Sequence, residues 1–215
     1  MYLYIGIDLG TSAAKLLLMD ELGEIKNVVT KEYPLEFPNP GWSQQNPEDW
    51  RKAVMEGIPE LLRGFDGQQV AGIGCGGQMH GLVILDEEDN VIRPAILWND
   101  GRTAKQVDYL NNVITKKKLS ELTANIAFAG FTAPKVLWVK ENEPENFKKI
   151  AKIMLPKDYV NYILTGVHPA IIPMLPVCSF WMWNISAGVR KCSPFAALQK
   201  HRCLRFLKAT IASAR

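Results

Sequence analysis

Tyr2 to Leu9 is an apolar, β-favouring run broken only by Asp8, and it reads as a buried strand. Gly10-Thr11-Ser12 supplies a turn and Lys15 to Asp20 a hairpin partner. After a second turn at Glu21 to Glu24, Ile25 to Tyr33 completes an antiparallel meander. Pro34 to Pro40 holds three prolines in seven residues and must be a loop. A helix follows: Asn46 suits the N-cap, Pro47 the first helical position, and Glu48 and Asp49 the first turn, with the helix running to about Leu62. Val70 to Gly74 is a short strand ending in the glycines Gly74, Gly76 and Gly77. Gly81 to Leu85 and Val91 to Trp98 read as strands flanking the acidic turn Asp86 to Asn90. Thr103 is placed to cap a polar helix reaching about Asn111. Further helices are predicted from Thr132, over Asn146 to Met154 and over Lys157 to Leu164.

Strands first, then helices alternating with strands, predict an α/β domain with a mixed sheet flanked by helices. No run of about 18 apolar residues is present, so no membrane helix is expected. The N-terminus shows no basic region followed by an apolar core, and these features favour the cytoplasm. The net charge of +3 averages two unlike parts. Pro169 to Arg215 carries seven Lys or Arg and no Asp or Glu, which leaves 18 basic and 22 acidic side chains in residues 1–168. A mildly acidic body argues against a nucleic-acid surface. Three of the four cysteines, Cys178, Cys192 and Cys203, also lie in the tail, and none has metal-ligand or disulfide-framework spacing.

Three clusters carry candidate chemistry. Asp8-x-Gly10-Thr11-Ser12 joins two strands through a turn whose glycine lets backbone approach an anion and whose hydroxyls add donors. Asp8 there suits Mg²⁺ held through water, or orientation of a phosphoryl group; a plain hairpin turn is the competing reading. The glycine spacing is not that of a Walker loop. Gln78, Met79 and His80 sit just beyond a strand end, where an open α/β sheet forms its ligand crevice, although a lone loop histidine is commonly structural. In Ile96 to Thr103, Asp100 offers a bidentate acceptor for neighbouring hydroxyls, Arg102 a clamp for it or for phosphate, and Trp98 an apolar face for a sugar; a helix-capping turn explains the same residues.

Taken together, "YIGIDLGTS", "GGQMHG", "PAILWNDGRT", "GFTAPKVLWVKENEPE" and "LPKDYVNYILTG" resemble, in order and spacing over residues 1–168, the N-terminal domain of the FGGY family of carbohydrate kinases, in its xylulokinase branch. The Met79-His80-Gly81 signature favours that branch over glycerol and gluconate kinases. The resemblance implies a ribonuclease H-like, actin-like ATPase fold, here incomplete. It also implies phosphorylation of D-xylulose to D-xylulose 5-phosphate with ATP and Mg²⁺. By the same carry-over Asp8, Gly10, Thr11 and Ser12 lie near the Mg-ATP phosphates, Gln78, Met79 and His80 near the sugar, and Asp100 on its hydroxyls. Lys135, Lys157 and Asp158 match family motifs and are assigned structural duty. The family's general base and adenine pocket fall outside these 215 residues, so the chain alone is expected to be inactive; a homodimer is one assembly open to the full-length family. A kinase for ribulose, glycerol or another polyol, or a non-catalytic sugar-binding fragment, are the alternatives.

Residues 169–215 do not match. At about one acidic residue in eight, 47 residues without one arise roughly once in several hundred cases. Ile171 to Asn184 can be encoded so that the shifted frame reads Tyr-Ser-Asp-Ala-Ser-Gly-Met-Leu-Leu-Leu-Asp-Val-Glu, a family-like continuation. The tail is therefore expected to be aberrant, from a frameshift or a sequencing error near His168.

Overall fold

In the computed structural model, which describes residues 2–167, the alternation along β1 (Leu3–Leu9) divides two faces of a sheet. Leu3, Ile5, Ile7 and Leu9 are buried, while Tyr4 and Asp8 point the other way and are exposed. β2 (Ala13–Asp20) pairs antiparallel with β1, setting Leu16 opposite Ile7 and Lys15 opposite Asp8. β3 (Ile25–Glu32) pairs antiparallel with β2, completing the expected meander. After β4 (Gln44–Gln45) and α1 (Pro47–Leu61), β5 (Val70–Gly77) returns parallel to β1, so the sheet order is β3-β2-β1-β5 and the sheet is mixed.

α1 begins where the cap residues placed it: Asn46 accepts a hydrogen bond from the Glu48 N–H at 3.1 Å, and Pro47 opens the first turn. Trp50, Ala53, Val54, Gly57 and Leu61 recur every three or four residues and form its buried stripe. That stripe lies in the same core as the buried side of β1 and β2. Burying side chains of this size stabilises by roughly 1.5–3 kcal/mol each before chain entropy is charged against it.

A second region stands beyond β5. β6 (Val83–Leu85) pairs antiparallel with β8 (Lys152–Met154), and β7 (Ala95–Ile96) pairs with β4. α2 (Ala104–Asp108) runs into a π-helical turn at Tyr109–Val113, then α3 (Lys116–Thr123) and α4 (Thr132–Asn142) follow. α5 (Pro144–Lys149) leads to β8, and α6 (Pro156–Thr165) packs beside α1, the Tyr159 and Trp50 rings meeting edge to face at 6.5 Å.

Three expectations are corrected. Val91 to Trp98 is a strand only at Ala95–Ile96, because Pro94 has no N–H to give a ladder. Asn146 to Met154 is not one helix: the helix stops at Lys149, and Lys152–Met154 is drawn into pairing with Val83–Leu85. The Thr103 hydroxyl does not cap α2; it is buried and donates to the Ala129 carbonyl at 3.3 Å. α3 carries no clear amphipathic signal in the sequence, since its lysine-rich run buries only Leu119 and Thr123. The reading of residues 169–215 as an aberrant tail lies outside the described residues.

Candidate functional site

Because β1 and β5 are adjacent and parallel, with Leu9 opposite Gly77, both chains leave the sheet at the same end. The Gly10–Ser12 turn and the Gln78–His80 loop are thereby set side by side, at the carboxyl ends of neighbouring strands. The turn is closed by the Gly10 N–H donating to the Ala13 carbonyl at 2.9 Å. A Cβ at Gly10 would stand 2.8 Å from that same oxygen, so only glycine fits. The Tyr33 hydroxyl donates to the Gly10 carbonyl at 2.6 Å. Burial first, then the negative charge of Asp8, push the Tyr33 phenol pKa up, which keeps it a donor. Asp8 is exposed opposite Gly76, where an added Cβ would meet nothing within 4 Å, so open space adjoins the carboxylate. Ser12 is exposed and Thr11 half-buried on the same turn.

Gly77 leaves β5 at φ +131°, and a Cβ there would lie 2.4 Å from the Leu9 carbonyl oxygen. This crossing lets the Gln78 N–H donate to Leu9 at 2.7 Å and its side-chain amide donate to the Gly10 carbonyl at 3.3 Å. Gln78 also donates to Gln45 Oε1 at 3.2 Å. Gln45, buried on β4, is a linking residue that sequence reasoning missed. Its Nε2 donates to the Thr11 carbonyl at 2.7 Å and the Pro34 carbonyl at 3.0 Å, and its Oε1 also accepts from the Trp50 indole at 3.2 Å. Its only sequence signal is a polar pair, Gln44-Gln45, directly before a helix cap.

His80 adopts φ +66°, a conformation that costs a non-glycine residue energy and is held here from outside. Its carbonyl accepts from Thr132 Oγ1 at 3.1 Å and from Lys135 Nζ at 2.9 Å, and Lys135 also bonds the Gly130 carbonyl. Burial, then the Lys135 charge, push the imidazole pKa below its ordinary value, favouring the neutral ring. His80 Nδ1, Gln78 Oε1 and Ser43 Oγ are buried without a hydrogen-bond partner. Met79 is half-buried between them in sequence.

Asp100 sits differently from the expectation that it meets ligand hydroxyls. Its side chain is fully buried and accepts from the Ser43 N–H at 2.6 Å, the Arg102 N–H at 2.9 Å and Arg102 Nη2 at 2.8 Å. The Arg102 guanidinium in turn lies over the Trp42 ring at 3.9 Å and near Trp138 at 5.0 Å. Trp98, 49% exposed, reaches the Gly10–Ser12 turn instead: its indole N–H donates to Thr11 Oγ1 at 3.3 Å. Lys157 and Asp158 form a buried ion pair, and the Lys157 N–H donates to the Gln78 carbonyl at 3.3 Å. Cys75, on β5, has its thiol pKa pushed up to about 11 by burial and is not an activated nucleophile.

No group of three or more His, Cys, Asp and Glu that could hold a metal occurs among the described residues. A single exposed carboxylate beside hydroxyls and turn amides nevertheless fits Mg²⁺, which keeps waters and is shared with phosphate oxygens. A cavity of about 730 Å³ opens elsewhere, near Glu48, Asp89, Tyr159 and Tyr162. Its carboxylates are bonded to its tyrosines, Glu48 to Tyr159 and Asp89 to Tyr162, each at 2.7 Å, so it is set apart from this chemistry. No helix of the described residues is long and apolar enough to cross a membrane.

The N-terminal domain of the FGGY family of carbohydrate kinases matches residues 3–180, twelve residues further than the sequence resemblance ran. A xylulose kinase of Lactococcus lactis is 48% identical over 165 residues, covering 75% of this chain and 32% of the relative. A xylulose kinase of Escherichia coli K12 is 44% identical over 164 residues, covering 76% and 34%. The crystal structure titled as a xyloylose kinase from Brucella ovis superposes with a TM-score of 0.71 at 43% identity, over 77% of this chain and 35% of that one. The chain thus spans about a third of the length of the relatives it matches. Its mixed sheet with flanking helices is the actin-like, ribonuclease H-like fold those kinases share. By motif, sheet order and length of match, the chain belongs to the FGGY family of carbohydrate kinases.

Proposed function

We propose that these residues form the phosphate-facing and sugar-facing part of a kinase that transfers the terminal phosphoryl group of ATP to D-xylulose, giving D-xylulose 5-phosphate. The observation that supports the reading is the hydrogen bond from the Gln78 side chain to the Gly10 carbonyl, which joins the Gln78–His80 loop to the Gly10–Ser12 turn. Bound Mg²⁺ would neutralise phosphate charge; Asp8 would hold it through water. The turn amides and the Thr11 and Ser12 hydroxyls would bind phosphate oxygens, since catalysis of phosphoryl transfer is largely positioning and charge neutralisation. Met79 and neutral His80 would contact the sugar, with Gln78 fixing the loop. Asp100 serves the sugar side by anchoring the loop that carries Trp98. The proton of the attacking hydroxyl needs a base, and this reading assigns it to a residue outside residues 1–215. The cytoplasm is the proposed location.

The test is calorimetry of the 215-residue chain with D-xylulose, with His80→Ala as control, beside a coupled ATP assay. Binding that the control abolishes, with negligible turnover, is expected. Robust turnover by this chain would overturn the assignment of the base. A competition series with xylulose, ribulose and glycerol separates the xylulokinase reading from a kinase for another ketose or polyol, for which the Met79-His80 pair is the discriminating feature.

A further inference from the structure

We propose that Phe131 is a positioning residue whose ring sets the His80 imidazole for sugar binding, a role that rests on the functional reading above. Phe131 is the residue before α4, and its ring lies 5.1 Å from that of His80 at an interplanar angle of 22°, a stacked pair. Phe128 meets Phe131 edge-on at 5.2 Å and 69°, so the stacked ring is itself held from behind. The same junction grips the His80 backbone: Thr132 and Lys135, one and four residues further on, both donate to its carbonyl. Backbone and ring of one residue are thus clamped from a single point, at a position whose φ of +66° would otherwise relax. A free histidine in a loop samples several rotamers, and fixing one of them removes that entropy before a ligand arrives. His80 Nδ1 is buried without a hydrogen-bond partner, so no hydrogen bond at that nitrogen fixes the ring and the stack on Phe131 supplies the orienting contact.

The experiment uses the full 215-residue chain. Calorimetry with D-xylulose is run on the wild type, Phe131→Leu and Phe131→Tyr, with far-UV circular dichroism as the folding check. The titration of His80 is followed by NMR and assigned against His168 and His201 by loss of its signal in His80→Gln. The stacking range for an aromatic pair corresponds to a rise in Kd of up to about tenfold for Phe131→Leu. A move of the His80 midpoint toward its ordinary value should accompany it, with Phe131→Tyr close to wild type in both. Phe131→Met replaces Phe131→Leu if the latter does not fold. A wild-type Kd and an unmoved His80 midpoint in Phe131→Leu overturn the inference and leave the functional reading intact. Weakened binding without a moved midpoint also overturns it, since that outcome marks a sugar contact. A wild-type chain that binds no D-xylulose overturns the functional reading and the sugar half of the inference together. The titration then decides the ring-setting half alone, and an unmoved midpoint defeats it.

Discussion

Gln78 donates its side-chain amide to Gln45 Oε1 at 3.2 Å, and Gln45 passes the connection on by donating to the Thr11 carbonyl at 2.7 Å. Two loops that come from different strands are therefore joined through one buried side chain, and a shift in either is felt by the other.

Gln45→Leu keeps a similar volume and strands the Trp50 indole N–H and the Thr11 and Pro34 carbonyls. Leaving buried groups unpaired costs about 1–3 kcal/mol each. Urea unfolding should show a loss at least in that range, and a loss in sugar affinity should accompany it. A variant with wild-type stability would show that water replaces the amide without cost.

Asp100→Asn leaves the Arg102 guanidinium buried without its counter-charge. Breaking such a pair from one side costs roughly 3–5 kcal/mol. The expected outcome is a marked drop in the urea midpoint, matched by Arg102→Met. If Asp100→Asn instead keeps its stability and loses only sugar binding, the carboxylate touches ligand directly.

His80 gives the chain a pH signature. Its folded pKa lies below the ordinary value of about 6.5 that the unfolded imidazole keeps. Between those two values the unfolded state binds more protons, so stability rises with pH there. This contribution is complete above about pH 6.5 and is lost as pH falls through the folded value. The stability difference between pH 7.5 and pH 5.5 should shrink in His80→Gln; an unchanged difference would place the dependence on other groups.

The coding DNA around codon 168 should contain an insertion or deletion whose correction restores a reading frame continuing the kinase sequence. Resequencing that codon and the bases downstream decides it. An intact frame through Arg215 with no such continuation refutes the frameshift.

Much of this protein was legible in the chain because the signals were local. Alternation along Leu3–Leu9, the Asn46-Pro47 start of α1 and the turn at Gly10 each depend on neighbours a few residues away. So do the five motifs, which name the family on residue order alone. The strand at Lys152–Met154 was not legible, since three residues carry too little periodicity to outweigh the helix beside them until Val83–Leu85 pairs with them. Nor was the burial of Asp100. A carboxylate beside an arginine in a turn looks the same in sequence whether it faces ligand or core, and the packing of Trp42 and Trp138 over Arg102 decides that it is buried. The sequence by itself determined the chemistry of the Gly10–Ser12 turn and of the Gln78–His80 loop. Only the parallel return of β5 beside β1 decided that they meet, and only the long-range hydrogen bonds of Gln45 and the ring of Phe131 decided how they are held, because contacts between residues 30 to 70 positions apart leave no periodic trace in the chain.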